Sequence, residues 1–245
     1  RCAMFNEYLH TVVETLEKIC VTQSKAMERA AELLAGTLDR DGLIYLFGCG
    51  HSHMLAEEGF YRAGGLGAVC AVLPAEFMLH EGAVKSSTLE RMECLAREVL
   101  NRYPMTERDS LVVFSTSGVN GMPVETARLA RAGGVKVVGV SSGAYREDAP
   151  RHSLGLRLGD VCDVHIDNLT PHGDAGYTLK GVEARMGPIS TLCGAYILNC
   201  LLARAAELAH GGGATPAVYR SGNVEGGREA NQAVIKRYRS RIRAL

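Results

Sequence analysis

The chain has 245 residues, enough to bury a sizeable core in one α/β domain, and its 47% hydrophobic and 22% charged content is that of an ordinary globular enzyme. Lysine and arginine balance aspartate and glutamate at 27 each, which argues against a general nucleic-acid binder with its basic excess. No apolar stretch reads as the roughly 18 residues of a membrane span, and the opening residues do not carry the charged-then-apolar pattern of a signal peptide, although Arg1 without a preceding Met suggests that the natural start is missing; no membrane association is expected.

Residues 5 to about 35 carry a sustained helical stripe, Phe5, Tyr8, Leu9, Val12, Val13, Leu16, Ile19 and Cys20, then Met27, Ala30, Ala31 and Leu34. This predicts one long helix or two in series, ended by Gly36 and Asp39–Gly42, and long enough to reach a second subunit. Leu43–Phe47 is a nearly unbroken apolar strand, as suits a parallel strand covered on both faces. It ends at once in Gly48-Cys49-Gly50-His51-Ser52-His53, and a helix is predicted over 53–63. Strand, tight turn and helix together aim backbone N–H groups and a helix N-terminus at an anion.

Ala68–Leu73 reads as a second strand, and residues 74–87, with Glu76, His80 and Glu81, as an irregular loop of functional length. Thr88 is expected to cap a helix running to about Tyr103. Leu111–Phe114 is a third strand, closing in Ser115-Thr116-Ser117-Gly118-Val119-Asn120-Gly121. Pro123 sits in the first turn of the next helix, where proline is tolerated. Val135–Val140, followed by Ser141-Ser142, is a fourth strand, and Cys162–Ile166 a fifth. A second long helical stripe spans Ile189–Ala209, and a basic helix or tail covers about 228–243.

Strands alternating with helices predict a doubly wound, five-stranded parallel sheet. The polar residues gather at its carboxyl ends, where ligands of such sheets bind. The whole chain, 1–245, reads as a single domain, with a core over about 25–210 and the terminal helices as appendages.

Neither polar turn is a nucleotide loop. A Walker A loop needs G-x-x-x-x-G-K-[ST], which is absent. A dinucleotide fingerprint needs a third glycine and an acidic residue closing the second strand, where Pro74 stands instead. Two serine-rich turns suit a phosphate held by hydroxyls and backbone N–H groups.

Cys49-Gly50-His51-Ser52 and Ser115-Thr116-Ser117-Gly118-Val119-Asn120, in this order on a parallel sheet, resemble the two turns of the SIS (sugar isomerase) domain family, a flavodoxin-like, phosphosugar-binding fold. Asn120 stands where that family usually has a hydroxyl. Ser52-His53, Ala56-Glu57-Glu58 and Ser115–Gly118 are similar to phosphoheptose isomerase, and Glu81-Gly82-Ala83 with Ser190-Thr191 to N-acetylmuramic acid 6-phosphate etherase. The full chain also resembles an uncharacterised bacterial SIS family with a similar His-Ser-His turn. The resemblance implies a phosphorylated sugar bound by Gly48, Gly50, His51, Ser52, Ser115, Thr116, Ser117, Asn120 and Ser141. It implies isomerisation by proton transfer, with etherase-type elimination or a non-enzymatic sensor as the alternatives, and a homodimer or tetramer.

Proton transfer next to a carbonyl needs a carboxylate or imidazole beside the sugar. Glu57, Glu58 and Glu81, with His53, His80 and His172, are the candidates. The resemblance to the heptose isomerase points to Glu58, followed four residues later by Arg62, although the serine-to-glutamate spacing here is four residues shorter. That same pair is also an ordinary i,i+4 surface ion pair. The histidine of that isomerase's late helix has no counterpart in 189–209. Cys49, His51, His53 and His80 are of zinc-ligand type, but loop histidines more often touch substrate, so no metal and no cofactor are expected. The eight cysteines, at 2, 20, 49, 70, 94, 162, 193 and 200, form no C-x-x-C pair, which predicts reduced thiols and a cytoplasmic protein.

Overall fold

The computed structural model describes residues 3–245. Two helices in series open it, α1 (Ala3–Thr22) and α2 (Ser24–Asp39), separated at Gln23, whose backbone (φ −103°, ψ 2°) leaves the helical region. Helix α2 runs through Gly36, and the chain turns only at Asp41 (φ 53°), where the Gly42 N–H closes on the Thr37 carbonyl at 2.8 Å. Strand β1 (Ile44–Gly48) follows, buried along its whole length. The period of two sends Ile44 and Leu46 into one apolar layer and Tyr45 and Phe47 into the other.

The remaining elements are α3 (His53–Gly59), β2 (Val69–Val72), α4 (Ala83–Leu89), α5 (Ala96–Leu100), β3 (Ser110–Phe114), α6 (Gly121–Ala132), β4 (Lys136–Ser141), α7 (Leu158–Val161) and β5 (Val164–Asp167). A short antiparallel ribbon, β6 (Tyr177–Thr178) with β7 (Arg185–Met186), precedes α8 (Ser190–Gly211) and α9 (Gly227–Tyr238). Strands β1 to β5 form one sheet in the order β2-β1-β3-β4-β5, and every pairing in it is parallel. The direction of winding reverses between β1 and β3, so the crevice beyond their carboxyl ends is the topological switch point. Gly48 pairs with Phe114 at that edge, which brings the two polar turns side by side.

Three expectations change. Residues 88–103 do not form one helix: Thr88 lies inside α4, donating its hydroxyl to the Val84 carbonyl at 3.0 Å. The chain leaves the helical path at Cys94 (φ 68°), whose N–H is held by the Glu125 carboxylate at 2.9 Å. The loop at 74–87 is largely folded, into 3-10 turns Ala75–Phe77 and Leu79–Glu81 and then α4. Helix α8 is long and apolar enough to cross a bilayer by length and composition. Its apolar residues are spent on the core instead, where Cys193, Ile197, Leu198 and Leu201 pack with α2. Its Arg204 forks onto Glu28 at 2.6 and 3.0 Å.

Candidate functional site

Beyond the carboxyl ends of β1 and β3 lies a niche whose polar walls are Ser52, Ser115, Thr116, Asn168, Ser190 and Thr191. These six come from four chain reversals: the turn after β1, the turn after β3, the end of β5, and the first residues of α8. The turns are tight for a steric reason. A Cβ on Gly48 would stand 2.5 Å from the Ser52 backbone, so only glycine lets the loop fold back and present Ser52 to the crevice. The niche holds about 10 Å³, one water's worth, and is floored by Leu55, Phe114 and Val140.

The hydroxyls differ in freedom. Ser115 Oγ accepts from the Gly118 N–H at 3.3 Å, and Asn168 Oδ1 from the Thr170 N–H at 3.1 Å. Ser190 is fully engaged by Asp174, whose carboxylate accepts from its hydroxyl at 2.5 Å and from the N–H groups of Ile189 and Ser190 at 3.0 and 2.9 Å. That aspartate caps α8 and neutralises part of its N-terminal dipole. Ser52, Thr116 and Thr191 keep their side chains free of other protein bonds among the described residues.

Not all of the expected phosphate ligands converge. Ser141 turns to the opposite face of the sheet, where its Oγ meets His165 Nε2 at 2.7 Å beneath Gly118. Gly118 is left-handed (φ 63°), and a Cβ there would stand 2.9 Å from Ser141 Oγ. Burial lowers the His165 pKa, so the ring is the neutral partner of this serine. Asn120, the residue before α6, donates from Nδ2 to Glu90 at 2.8 Å. Ser117 and His51 lie in the turns but outside the niche, half-buried and exposed respectively.

The candidate acid–base groups occupy three distinct settings. Glu58 accepts from Arg62 Nη1 one helical turn on and from Asn199 Nδ2 at 3.2 Å, which leaves it neutralised and tied to α8. His53 is buried, its Nδ1–H donating to the Gly50 carbonyl, which leaves Nε2 facing Glu57 at 3.9 Å. His80 stands nearby, with ring centroids 6.4 Å from His53, and its Nε2 lies 3.9 Å from Glu81. His53, Glu57, His80 and Glu81 thus gather at one end of α3. His172 is elsewhere, stacked on Tyr145 at 4.4 Å and bonded to Asp148 at 3.1 Å. Among the described residues no three His, Cys, Asp or Glu side chains converge as metal ligands.

Sequence reading missed Glu90. Burial pushes its carboxyl above the ordinary carboxylate range, against the opposing pull of the Asn120 bond and of Arg91 and Arg151. It is near enough to Cys49 that its charge, after burial, helps push that thiol well up. Glu90 therefore borders both turns, on the Cys49 side of the sheet, while the niche opens on the Leu55 side. No spacing marks it in the sequence, where it falls in the first turn of the helix expected after Thr88; its meaning comes from its place at the end of α4 and its burial against Asn120.

A SIS domain family model matches residues 7–142. A UPF0309 protein of Thermoanaerobacter pseudethanolicus is 41% identical over 99% of this chain and 100% of its own length. One from Listeria innocua is 40% identical over 99% of this chain and 98% of its own. Among solved structures, a phosphoheptose isomerase from Francisella tularensis superposes with a TM-score of 0.55 at 16% identity, covering 83% of this chain and 96% of that one. The phosphoheptose isomerase from Neisseria gonorrhoeae gives 0.50 at 20% identity, covering 85% and 96%. At these identities the structural likeness is one of fold.

Proposed function

This chain belongs to the SIS domain family, and from that premise we propose that it binds a phosphorylated sugar at the β1/β3 switch point and isomerises it by proton transfer. The observation that carries the reading is the convergence of Ser52, Ser115, Thr116 and Thr191 on one crevice without any lysine or arginine. Such a site recognises phosphate by directed hydroxyl and backbone donors rather than by net charge. The 10 Å³ niche is too small for a phosphate, so the group sits at its mouth, with Ser52 and Thr116 as the first donors and Ser117 beside them.

On this reading the sugar crosses the turns towards Glu90. A base that works near neutral pH needs a carboxyl pKa above its usual range, and Glu90 is the candidate whose pKa is raised. It takes the proton next to the carbonyl and returns it to the neighbouring carbon, the Asn120 amide keeping its carboxylate aimed. His53, held in one tautomer by Gly50 and backed by Glu57, is suited to relay the proton between the two sugar oxygens. Glu58 positions α3 against α8.

A panel of hexose, heptose and amino-sugar 6- and 7-phosphates in deuterated water tests this. Deuterium entering the carbon next to the carbonyl, lost in Glu90→Gln, supports an isomerase. Release of the substituent with an unsaturated product would support etherase-type elimination by the same carboxylate. Binding without exchange or release would leave a sensor. Failure of Ser52→Ala to weaken binding would remove the phosphate assignment altogether.

The exposed apolar face of α1, Phe5, Leu9 and Val13, with Met54 and Leu192 also exposed, supports a homodimer or larger assembly. The seven described cysteines are all free, which fits a reducing compartment and supports a cytoplasmic placement.

A further inference from the structure

A second cavity, of about 520 Å³, lies at the other end of the sheet and shares no residue with the niche. It sits where the chain enters β2: Tyr219 exchanges backbone hydrogen bonds with Gly64 and Gly65 at 2.8 and 2.9 Å, and Leu66 bridges to Val218. Its walls carry Arg62, Arg220 and Arg228, the amides of Asn223 and Gln232, and the rings of Tyr61 and Tyr219. No carboxylate lines it. Arg62 is paired with Glu58, whereas Arg220 and Arg228 form no ion pair among the described residues. Two guanidinium groups without a carboxylate partner line the same cavity, and guanidinium is the side chain best shaped to fork onto a phosphate.

Further observations describe the surroundings of that anion. Arg228 lies in the first turn of α9, a helix of 12 residues whose N-terminus adds its dipole to the same wall. Asn231 brackets the backbone of Arg220 with bonds of 2.8 and 2.9 Å, which anchors that arginine's Cα to the helix. Tyr61 is 53% exposed, is held at a left-handed φ of 45°, and meets Tyr219 edge to face at 5.1 Å. A bulky residue in that backbone region is strained and is kept by its surroundings for a reason. Tyr219 itself is 3% exposed, and its hydroxyl has no hydrogen-bond partner. The volume falls within the range of small-molecule sites, far above what a lone phosphate needs.

We propose that this cavity is a second ligand site, which takes a phosphorylated molecule carrying a flat ring, the chemistry of a nucleotide. The phosphates lie between Arg220, Arg228 and the start of α9, and the ring stacks on the open face of Tyr61. The site is independent of the sugar reading, because it is built from the β2 edge and α9 rather than from the two serine turns.

Titration calorimetry on the full chain with ATP, AMP, adenosine and pyrophosphate tests it. ATP and AMP bind, pyrophosphate binds more weakly than ATP, and adenosine gives no measurable heat. Arg220→Ala and Arg228→Ala each weaken ATP by about tenfold or more. Tyr61→Ala weakens AMP by about five- to 150-fold, the range of base–aromatic stacking, and leaves pyrophosphate unchanged. Circular dichroism confirms that these variants of exposed side chains stay folded. The proposal is overturned if ATP does not bind at millimolar concentration, or if the arginine variants leave its affinity unchanged. It also falls if pyrophosphate binds as tightly as ATP, or if Ser52→Ala rather than the arginine variants abolishes binding, which would place ATP in the switch-point crevice.

Discussion

The two sites proposed for the two ends of the sheet are of opposite construction. At the carboxyl edge the donors are neutral, short and fixed by turns: Ser52, Thr116 and Thr191 around a niche of about 10 Å³. At the edge where β2 begins they are long, charged and exposed: Arg220 and Arg228, with Arg62 held by Glu58, around about 520 Å³. The first can discriminate by geometry, since hydroxyl and N–H donors reward only an oxygen in the right place. The second attracts by field, and flexible guanidinium groups accept ligands of varied shape. Chemistry on a small substrate belongs with the first, adaptable binding with the second.

The largest expected effect separates the two ends by reaction. Glu90→Gln should lower turnover on a sugar phosphate by about 10²- to 10⁴-fold, the usual value of a positioned base, with ATP binding unaltered. Equal loss at both sites in a folded protein would break the distinction. The same variant should be more stable at neutral pH, because it removes an ionised carboxylate whose burial is costly and keeps an oxygen for Asn120. The sign follows from linkage. A carboxyl whose folded pKa is raised binds its proton more tightly when native, so its contribution to stability falls as pH climbs from the ordinary carboxylate value through the raised one. Thermal melts of both proteins across that interval should therefore diverge upwards with pH.

Next in size, Ser52→Ala and Thr116→Val should each weaken phosphate-dependent binding by about 1.5–3 kcal/mol, the worth of a hydrogen bond to a charged group. Calorimetry against the phosphorylated and unphosphorylated forms of one sugar checks this, since only the former should respond. Salt sharpens the contrast further. Raising ionic strength should weaken ligands at the Arg220–Arg228 wall more steeply than at the hydroxyl niche, because solvent-exposed charges are screened and directed neutral donors are not. A smaller effect concerns Asp174, the cap of α8. Asp174→Ala should cost about 0.5–2 kcal/mol of stability, measured by urea unfolding, while freeing Ser190 for the crevice. Smallest in energy per residue, Phe5→Ser with Leu9→Ser should shift a homodimer towards monomer in light scattering.

Much of this was legible in the order of residues. The apolar run ending in Gly48-Cys49-Gly50, the run ending in Ser115-Thr116-Ser117 and the alternation of periods determine a parallel sheet with two polar turns at one edge. Strands buried on both faces must be apolar throughout, and turns that close on glycine must spell it, so local sequence carries those features. Tertiary structure alone decided which hydroxyls meet. Ser141 ends its strand one residue out of phase with the crevice and so faces His165, while Thr191, more than a hundred residues from Ser52, closes the niche. Glu90 reads as a helix-end charge until burial against Asn120 raises its pKa, and Arg62, Arg220 and Arg228 are scattered surface cations until α9 folds back on the entry to β2. A strand and its turn are set by neighbours in the chain. The environment of a charge is set by neighbours in space, which no local pattern records.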